Sequence, residues 1–219
     1  MITEYTECGI DEAGRGPVLG PLIVAGVCAT TEQIAELAKI GVTDSKLLSP
    51  KKREALAPLI KQIVQSYEIR EISVQDIDDR IKKNQSLTDL ELFVTSDIVQ
   101  KLKPVKVVID CPSANKKTYK DSFVRHSSFP GECIVEFKAD TNHVVVGAAS
   151  ILAKVKRDEC ISTIKKQIGI DCGSGYPSDP KTQLFLSEYY LTHKTLFRTS
   201  WESYKNCVSQ KSQVLLTDM

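Results

Sequence analysis

Hydrophobic positions gather into five short runs that read as strands: Glu7 to Glu12, Leu22 to Ala29, Tyr67 to Ser73, Val105 to Asp110 and Cys133 to Lys138. The first two are joined by the Gly/Pro-rich stretch Gly14 to Pro21, short enough to predict an antiparallel pair. Helical patterns interleave with the strands. Thr30 and Gln33 have capping-box spacing and open a helix over Glu32 to Ile40, while Ser49 followed by Pro50 starts another that reaches Val64. Ser86 with Asp89 opens a third, along which Leu90, Phe93, Ile98 and Leu102 recur at helical spacing. A long helix is expected from His143 to Ile168, its first half carrying the small residues Gly147, Ala148, Ala149 and Ser150, which permit close approach to a sheet. After the loop Gly173 to Pro177, further helices are expected over Pro180 to Leu191 and Trp201 to Val208. Antiparallel strands first, helix-linked strands next and helices last predict an α/β sheet with a helical carboxyl-terminal region.

Composition narrows this picture. With 219 residues, 42% apolar and 26% charged, the chain suits one globular core with a small appendage, and no repeat or flexible linker divides it. The expected division is a core over 1–170 and a helical region over 171–219 packed on it. Seven scattered cysteines form no Cys-x-x-Cys pair, which argues against a disulfide framework and a zinc knuckle and for a reducing compartment. The amino terminus is too polar for a signal peptide, and no apolar run approaches the roughly 18 residues that span a bilayer. The expectation is a cytoplasmic protein without membrane contact.

Net charge of +1 gives no reason to expect a polyanionic partner, but it hides a gradient. Residues 1–100 hold 11 basic and 16 acidic side chains, and residues 101–219 hold 18 and 12. Basic residues concentrate between Lys101 and Arg125 and between Lys154 and Lys166, an arrangement suited either to a phosphate backbone or to a solvated helix face.

Four carboxylates end runs that should be buried: Asp11 and Glu12 on the first strand, Asp110 on the fourth and Asp140 after the fifth. If those strands are neighbours, the carboxylates crowd together and need a cation to stay ionised. An oxygen-only ligand set suits Mg²⁺ or Mn²⁺, and two such ions about 4 Å apart could clamp a scissile phosphate. Adjacent strand residues face opposite ways, so Asp11 is assigned as the shared ligand and Glu12 as a group nearer the substrate hydroxyl. Gly14-Arg15-Gly16 offers backbone N–H groups with an arginine between them, without the spacing of a Walker or dinucleotide loop. Tyr176, between Gly175 and Pro177, is an aromatic ring on a stiff loop that could stack on a sugar or base. His126, His143 and His193 lie in separate segments, which leaves no Ser-His-Asp or Cys-His site; His143 could serve as a proton shuttle, and the other two read as surface histidines.

Six ordered segments resemble the type 2 ribonucleases H (ribonuclease HII) over residues 8–204: Gly9 to Pro17, Asp44-Ser45-Lys46, Val108-Ile109-Asp110, Lys138-Ala139-Asp140, Ala148 to Val155 with Arg157-Asp158, and Gly173 to Pro180. The resemblance implies a ribonuclease H-like catalytic core with a five-stranded mixed sheet flanked by helices. It implies an endonuclease that cuts RNA in RNA/DNA hybrids and nicks beside ribonucleotides embedded in duplex DNA, as in ribonucleotide excision repair, leaving 3′-hydroxyl and 5′-phosphate ends. Asp11, Glu12, Asp110 and Asp140 match its metal-binding carboxylates; Gly14, Arg15 and Gly16 its reader of the ribose 2′-hydroxyl; Tyr176 its deoxyribose-stacking ring; and Lys46 a phosphate-contacting lysine. Rival readings are a junction resolvase, which has no need of the Gly-Arg-Gly, and a non-catalytic nucleic-acid module, which has no need of all four carboxylates. Gly16 to Pro21 looks like the archaeal and eukaryotic branch, and the absence of long insertions suits a stand-alone monomer. The tail Gln213 to Met219 lacks the paired aromatics of a sliding-clamp motif, leaving clamp contact doubtful.

Overall fold

The computed structural model describes residues 6–43 and 45–217, the side chains of 214–217 excepted, so Asp44 of the Asp44-Ser45-Lys46 segment lies outside it. In chain order the elements are β1 (Thr6–Ala13), β2 (Leu22–Thr30), α1 (Thr31–Lys39), α2 (Pro50–Ile63), β3 (Ser66–Ile72), α3 (Val74–Lys82), α4 (Leu87–Leu102), β4 (Lys106–Asp110), α5 (Lys116–Ser127), β5 (Glu132–Glu136), α6 (Ala139–Asn142), α7 (Val144–Ile168), α8 (Pro180–Tyr189) and α9 (Glu202–Thr217). The strands form a mixed sheet in the order β3-β2-β1-β4-β5. β1 pairs with β2 antiparallel, as the short connection requires, and β1, β4 and β5 run parallel. Among the described residues no helix is long and apolar enough to cross a membrane.

Local chemistry accounts for most of the helix starts. Thr30 and Gln33 form the expected reciprocal capping box, and Ser49 caps α2 with Pro50 in its first turn. Three helices were not expected: α3, α5 and the four-residue α6. Ser73, placed at the end of β3 by the sequence pattern, instead caps α3 by accepting from Asp76 N. In α5 the buried side chains are Tyr119, Phe123 and Ser127, a stripe too narrow to stand out in a polar segment. The last helix runs nine residues past the expected Val208, because no glycine or proline interrupts it.

The chain divides into two compact units. The first comprises residues up to Ala13, Ile23–Glu71 and Leu87–Lys156; the second comprises Gly14–Leu22, Ile72–Ser86 and the residues from Arg157 onward. This differs from the expected division after residue 170, since the second unit also takes in the Gly/Pro-rich connection, α3 and the end of α7.

In the first unit β2 is buried along its whole length and β1 along most of it, so the core is centred on these strands. Close approach of α7 depends on Gly9: a Cβ there would lie 2.4 Å from the Val145 carbonyl. In the second unit Val18, Leu19, Ile161, Phe185, Leu186, Phe197 and Tyr204 form a buried cluster. Phe185 and Tyr204 flank Phe197 at centroid distances of 5.4 and 5.9 Å. Each such aromatic stabilises the unit by about 1.5–3 kcal/mol through burial. Leu19 bridges to Phe197 in antiparallel fashion, which ties the connection after β1 to the segment before α9.

Candidate active site

In the first unit, parallel pairing aligns the carboxyl ends of β1, β4 and β5 along one edge of the sheet. Ile10 is level with Ile109, so Asp11 and Asp110 follow side by side, and Asp110 is level with Glu136 of β5. Asp140 arrives from α6, which is entered through Lys138 in a left-handed conformation at φ 57°. The Ala139 N–H donates to Asp110 Oδ1 at 2.9 Å, which fixes the start of α6 against β4. Asp11 and Asp140 are buried.

Electrostatics follow from this crowding. Burial, followed by repulsion from Asp110, raises Asp11 to about 7, although hydrogen bonds from Ser150 and the Glu12 N–H and the charge of Lys154 oppose the rise. Asp110 is raised too, first by burial and then by Asp140, against the Ala139 hydrogen bond and Lys46. Lys46, 61% exposed along its side chain, donates to Asp140 Oδ2 at 3.1 Å. The other oxygen, Asp140 Oδ1, is buried with no hydrogen-bond partner.

Among the described residues no group of three or more His, Cys, Asp or Glu side chains converges closely enough to hold a metal ion as it stands. What fits a hard divalent cation is the donor chemistry: carboxylate oxygens only, one of them buried and unsatisfied, and two carboxyls whose charge the fold disfavours until a cation offsets it. Glu12 occupies the other face of β1, as strand alternation requires. There it lines a small cleft with Glu91, Thr95, Asp110 and Tyr119.

In the sequence Lys154 stands out only as the first residue of a basic cluster, not as a site residue. It stands one helical turn after Ser150 and donates to Ser150 Oγ at 3.0 Å and to Ser45 Oγ; the two hydroxyls are 2.8 Å apart. The spacing Ser150 to Lys154 was readable as i, i+4, but the meeting with Ser45 was not. His143 Nε2 lies 3.2 Å from Glu136 Oε2, beside the aspartates rather than among them. His126 meets the edge of Phe93, and His193 corrects the surface reading: it is partly buried, stacked on Phe185 at 5.8 Å.

The remaining expected residues lie in the second unit. Gly14 has φ +91° and Gly175 φ +86°, conformations open to glycine, and Val18 N donates to Gly175 O at 2.9 Å. Gly16 is exposed, and a Cβ there would contact the Tyr176 ring at 3.6 Å. Tyr176 is 42% exposed. Its other neighbour is Arg157, whose guanidinium lies 5.3 Å from the ring centroid and donates to Ser174 O at 2.5 Å. Arg157 and Arg198 are both buried, and burial lowers the pKa of each. Arg198 carried no signal in the sequence.

A family model described as Ribonuclease HII matches residues 8–204. The ribonuclease HII of Thermococcus sibiricus is 43% identical over 210 residues, covering 94% of this chain and 92% of that protein. The ribonuclease H2 of Pyrococcus horikoshii has a TM-score of 0.86 at 34% identity, covering 94% of this chain and 98% of the other. The RNase HII of Archaeoglobus fulgidus, solved as a complex with PCNA, has a TM-score of 0.83 at 34% identity, covering 92% and 96%. That complex removes the ground for doubting clamp contact from the wording of Gln213 to Met219, whose side chains beyond Gln213 lie outside the described residues.

Proposed function

The chain belongs to the ribonuclease HII family and is a type 2 ribonuclease H, an endonuclease; on that premise we propose that it cleaves RNA in RNA/DNA hybrids and nicks duplex DNA on the 5′ side of an embedded ribonucleotide, leaving 3′-hydroxyl and 5′-phosphate ends. The observation that carries this reading is the alignment of Asp11 and Asp110 at the ends of adjacent parallel strands, with Asp140 electrostatically coupled to Asp110.

Asp11, Glu12, Asp110 and Asp140 would hold Mg²⁺ or Mn²⁺, two ions when substrate is present. Bound there, such ions supply a water activated as nucleophile and neutralise charge on the leaving oxygen. Asp140 is kept in place by Lys46, whose exposed ammonium can exchange that contact for a substrate phosphate. The backbone N–H groups of Gly14 to Gly16 receive the ribose 2′-hydroxyl, the atom that separates RNA from DNA. Tyr176 stacks on the deoxyribose that follows, its ring held by Arg157.

A duplex DNA containing one ribonucleotide, incubated with Mg²⁺ or Mn²⁺, tests the reading. The expected result is a single nick 5′ of the ribonucleotide, abolished by Asp11→Asn. No nick, or undiminished nicking by the variant, overturns it. In the same assay Tyr176→Ala is expected to slow this nick more than cleavage of a long hybrid, and equal losses on both argue against stacking.

A further inference from the structure

The second unit contains a buried cation, Arg198, that has no carboxylate hydrogen-bonded to it among the described residues. The Arg198 side chain is fully buried and spends its donors on backbone: Nη2 to Gly14 O at 2.7 Å, Nη1 to Arg15 O at 3.1 Å and Nε to Gly20 O at 3.0 Å. Trp201 Nε1 donates to the next carbonyl, Gly16 O, at 3.3 Å, and its ring lies 4.9 Å from the guanidinium. The Arg198 main-chain N–H binds Val18 O at 2.8 Å. Three consecutive carbonyls, those of Gly14, Arg15 and Gly16, are thereby drawn toward one arginine–tryptophan pair.

A trans peptide points its C=O and its N–H in opposite directions. With the Gly14 and Arg15 carbonyls fixed on Arg198, the N–H groups of Arg15 and Gly16 are turned away from it, at positions that are half-buried and exposed. We infer that Arg198 is a specificity-determining positioning residue: by holding those carbonyls it presets the two successive N–H donors that read the ribose 2′-hydroxyl. The inference rests on the reading of Gly14 to Gly16 given above.

Arginine is needed for its geometry. A planar fork with donors on three nitrogens reaches three carbonyls at once, whereas a lysine ammonium keeps the charge but cannot span them. Arg198 is anchored in turn through its neighbours. Asp78 of α3 accepts from the Thr199 N–H and Oγ1 at 2.8 and 2.7 Å and from the Ser200 N–H and Oγ at 3.1 and 2.6 Å.

The test separates recognition from cutting. In an Asp11→Asn parent, affinities are measured for a duplex with one ribonucleotide and for the same duplex all in DNA. The parent is expected to prefer the ribonucleotide by about tenfold, the value of one well-made hydrogen bond. Adding Arg198→Lys is expected to bring that ratio close to one, with the affinity for all-DNA duplex changed less than about twofold. A ratio that survives overturns the inference. So does a parallel loss of both affinities, which is what a merely structural role gives. If Arg198→Lys does not fold, Asp78→Asn, at a half-buried site, takes its place: it is expected to lower the ratio several-fold, and an unchanged ratio overturns the inference. A parent that binds both duplexes equally overturns the ribose-reading role of the loop and this inference with it, while nicking by the unmodified chain stands as separate evidence for the ribonuclease reading.

Discussion

Gly9 on β1 and Val145 on α7 meet backbone to backbone: a Cβ added to Gly9 would lie 2.4 Å from both the carbonyl carbon and the carbonyl oxygen of Val145. This contact sets how closely α7 approaches the sheet, and so brings Ser150 to Asp11. Neither partner can give way as a flexible side chain would. Gly9→Ala is therefore expected to destabilise the protein by about 2 kcal/mol or more and to lower activity, because the helix must lift from the strand. Urea unfolding checks this, and a stability within 0.5 kcal/mol of the parent, to use about the size of an ordinary surface change, would refute it.

Asp11 links stability to pH. Its pKa of about 7 in the fold lies above its ordinary value of 3.8, so between those values the folded chain keeps a proton that the unfolded chain releases. Without divalent cations this contribution is complete below about pH 4 and is lost as the pH rises through 7. Asp11→Asn removes this residue's part of the slope and leaves that of Asp110. In chelator at pH 8 the variant is expected to be more stable than the parent by on the order of 2 kcal/mol, while being inactive. Denaturant melts of both proteins at pH 5 and pH 8 decide the matter, and identical slopes would contradict it.

Lys154 orders two hydroxyls beside Asp11 through Ser150 and Ser45. Lys154→Met keeps the length of the stem but leaves both hydroxyls without that donor. The expected loss is roughly 10- to 100-fold in kcat, the usual scale for a group that orients a ligand-bearing carboxylate, with KM little changed. A change confined to KM would instead mean that Lys154 acts on the substrate.

Gly14 and Gly16 are expected to respond differently to alanine. At Gly14 the backbone is left-handed and a Cβ would lie 2.9 Å from Pro21 O, so both stability and activity should fall. At Gly16 no φ strain arises and the nearest atom, on Tyr176, is an ordinary 3.6 Å away. Gly16→Ala is expected to melt like the parent yet lose cleavage of the single-ribonucleotide duplex, because on the proposed reading the methyl takes the space of the ribose. Thermal melts run beside the nicking assay separate the two effects.

Much of this was legible in the sequence, for local reasons. The apolar runs, the capping box at Thr30 and Gln33 and the Ser49-Pro50 start are read from neighbours a few residues apart, and each formed as expected. Strand alternation likewise foretold that Asp11 and Glu12 would face opposite ways. What failed was equally local: α5 buries too narrow a stripe to show, and Ser73 serves as well at a strand end as at a helix cap.

The sequence by itself determined which carboxylates end the strand runs and that a glycine-arginine-glycine follows the first pair, because residue type and position in a local pattern are enough to mark them as candidates. Tertiary structure alone decided what sets their state. The raised pKa of Asp11 comes first from burial and then from Asp110, on a strand about a hundred residues away; the Ser45–Lys154 contact spans 109 residues and the Arg198–Gly14 contact 184. Burial and hydrogen-bond partners at such separations depend on how strands and helices are brought together, and no pattern local to either residue records them.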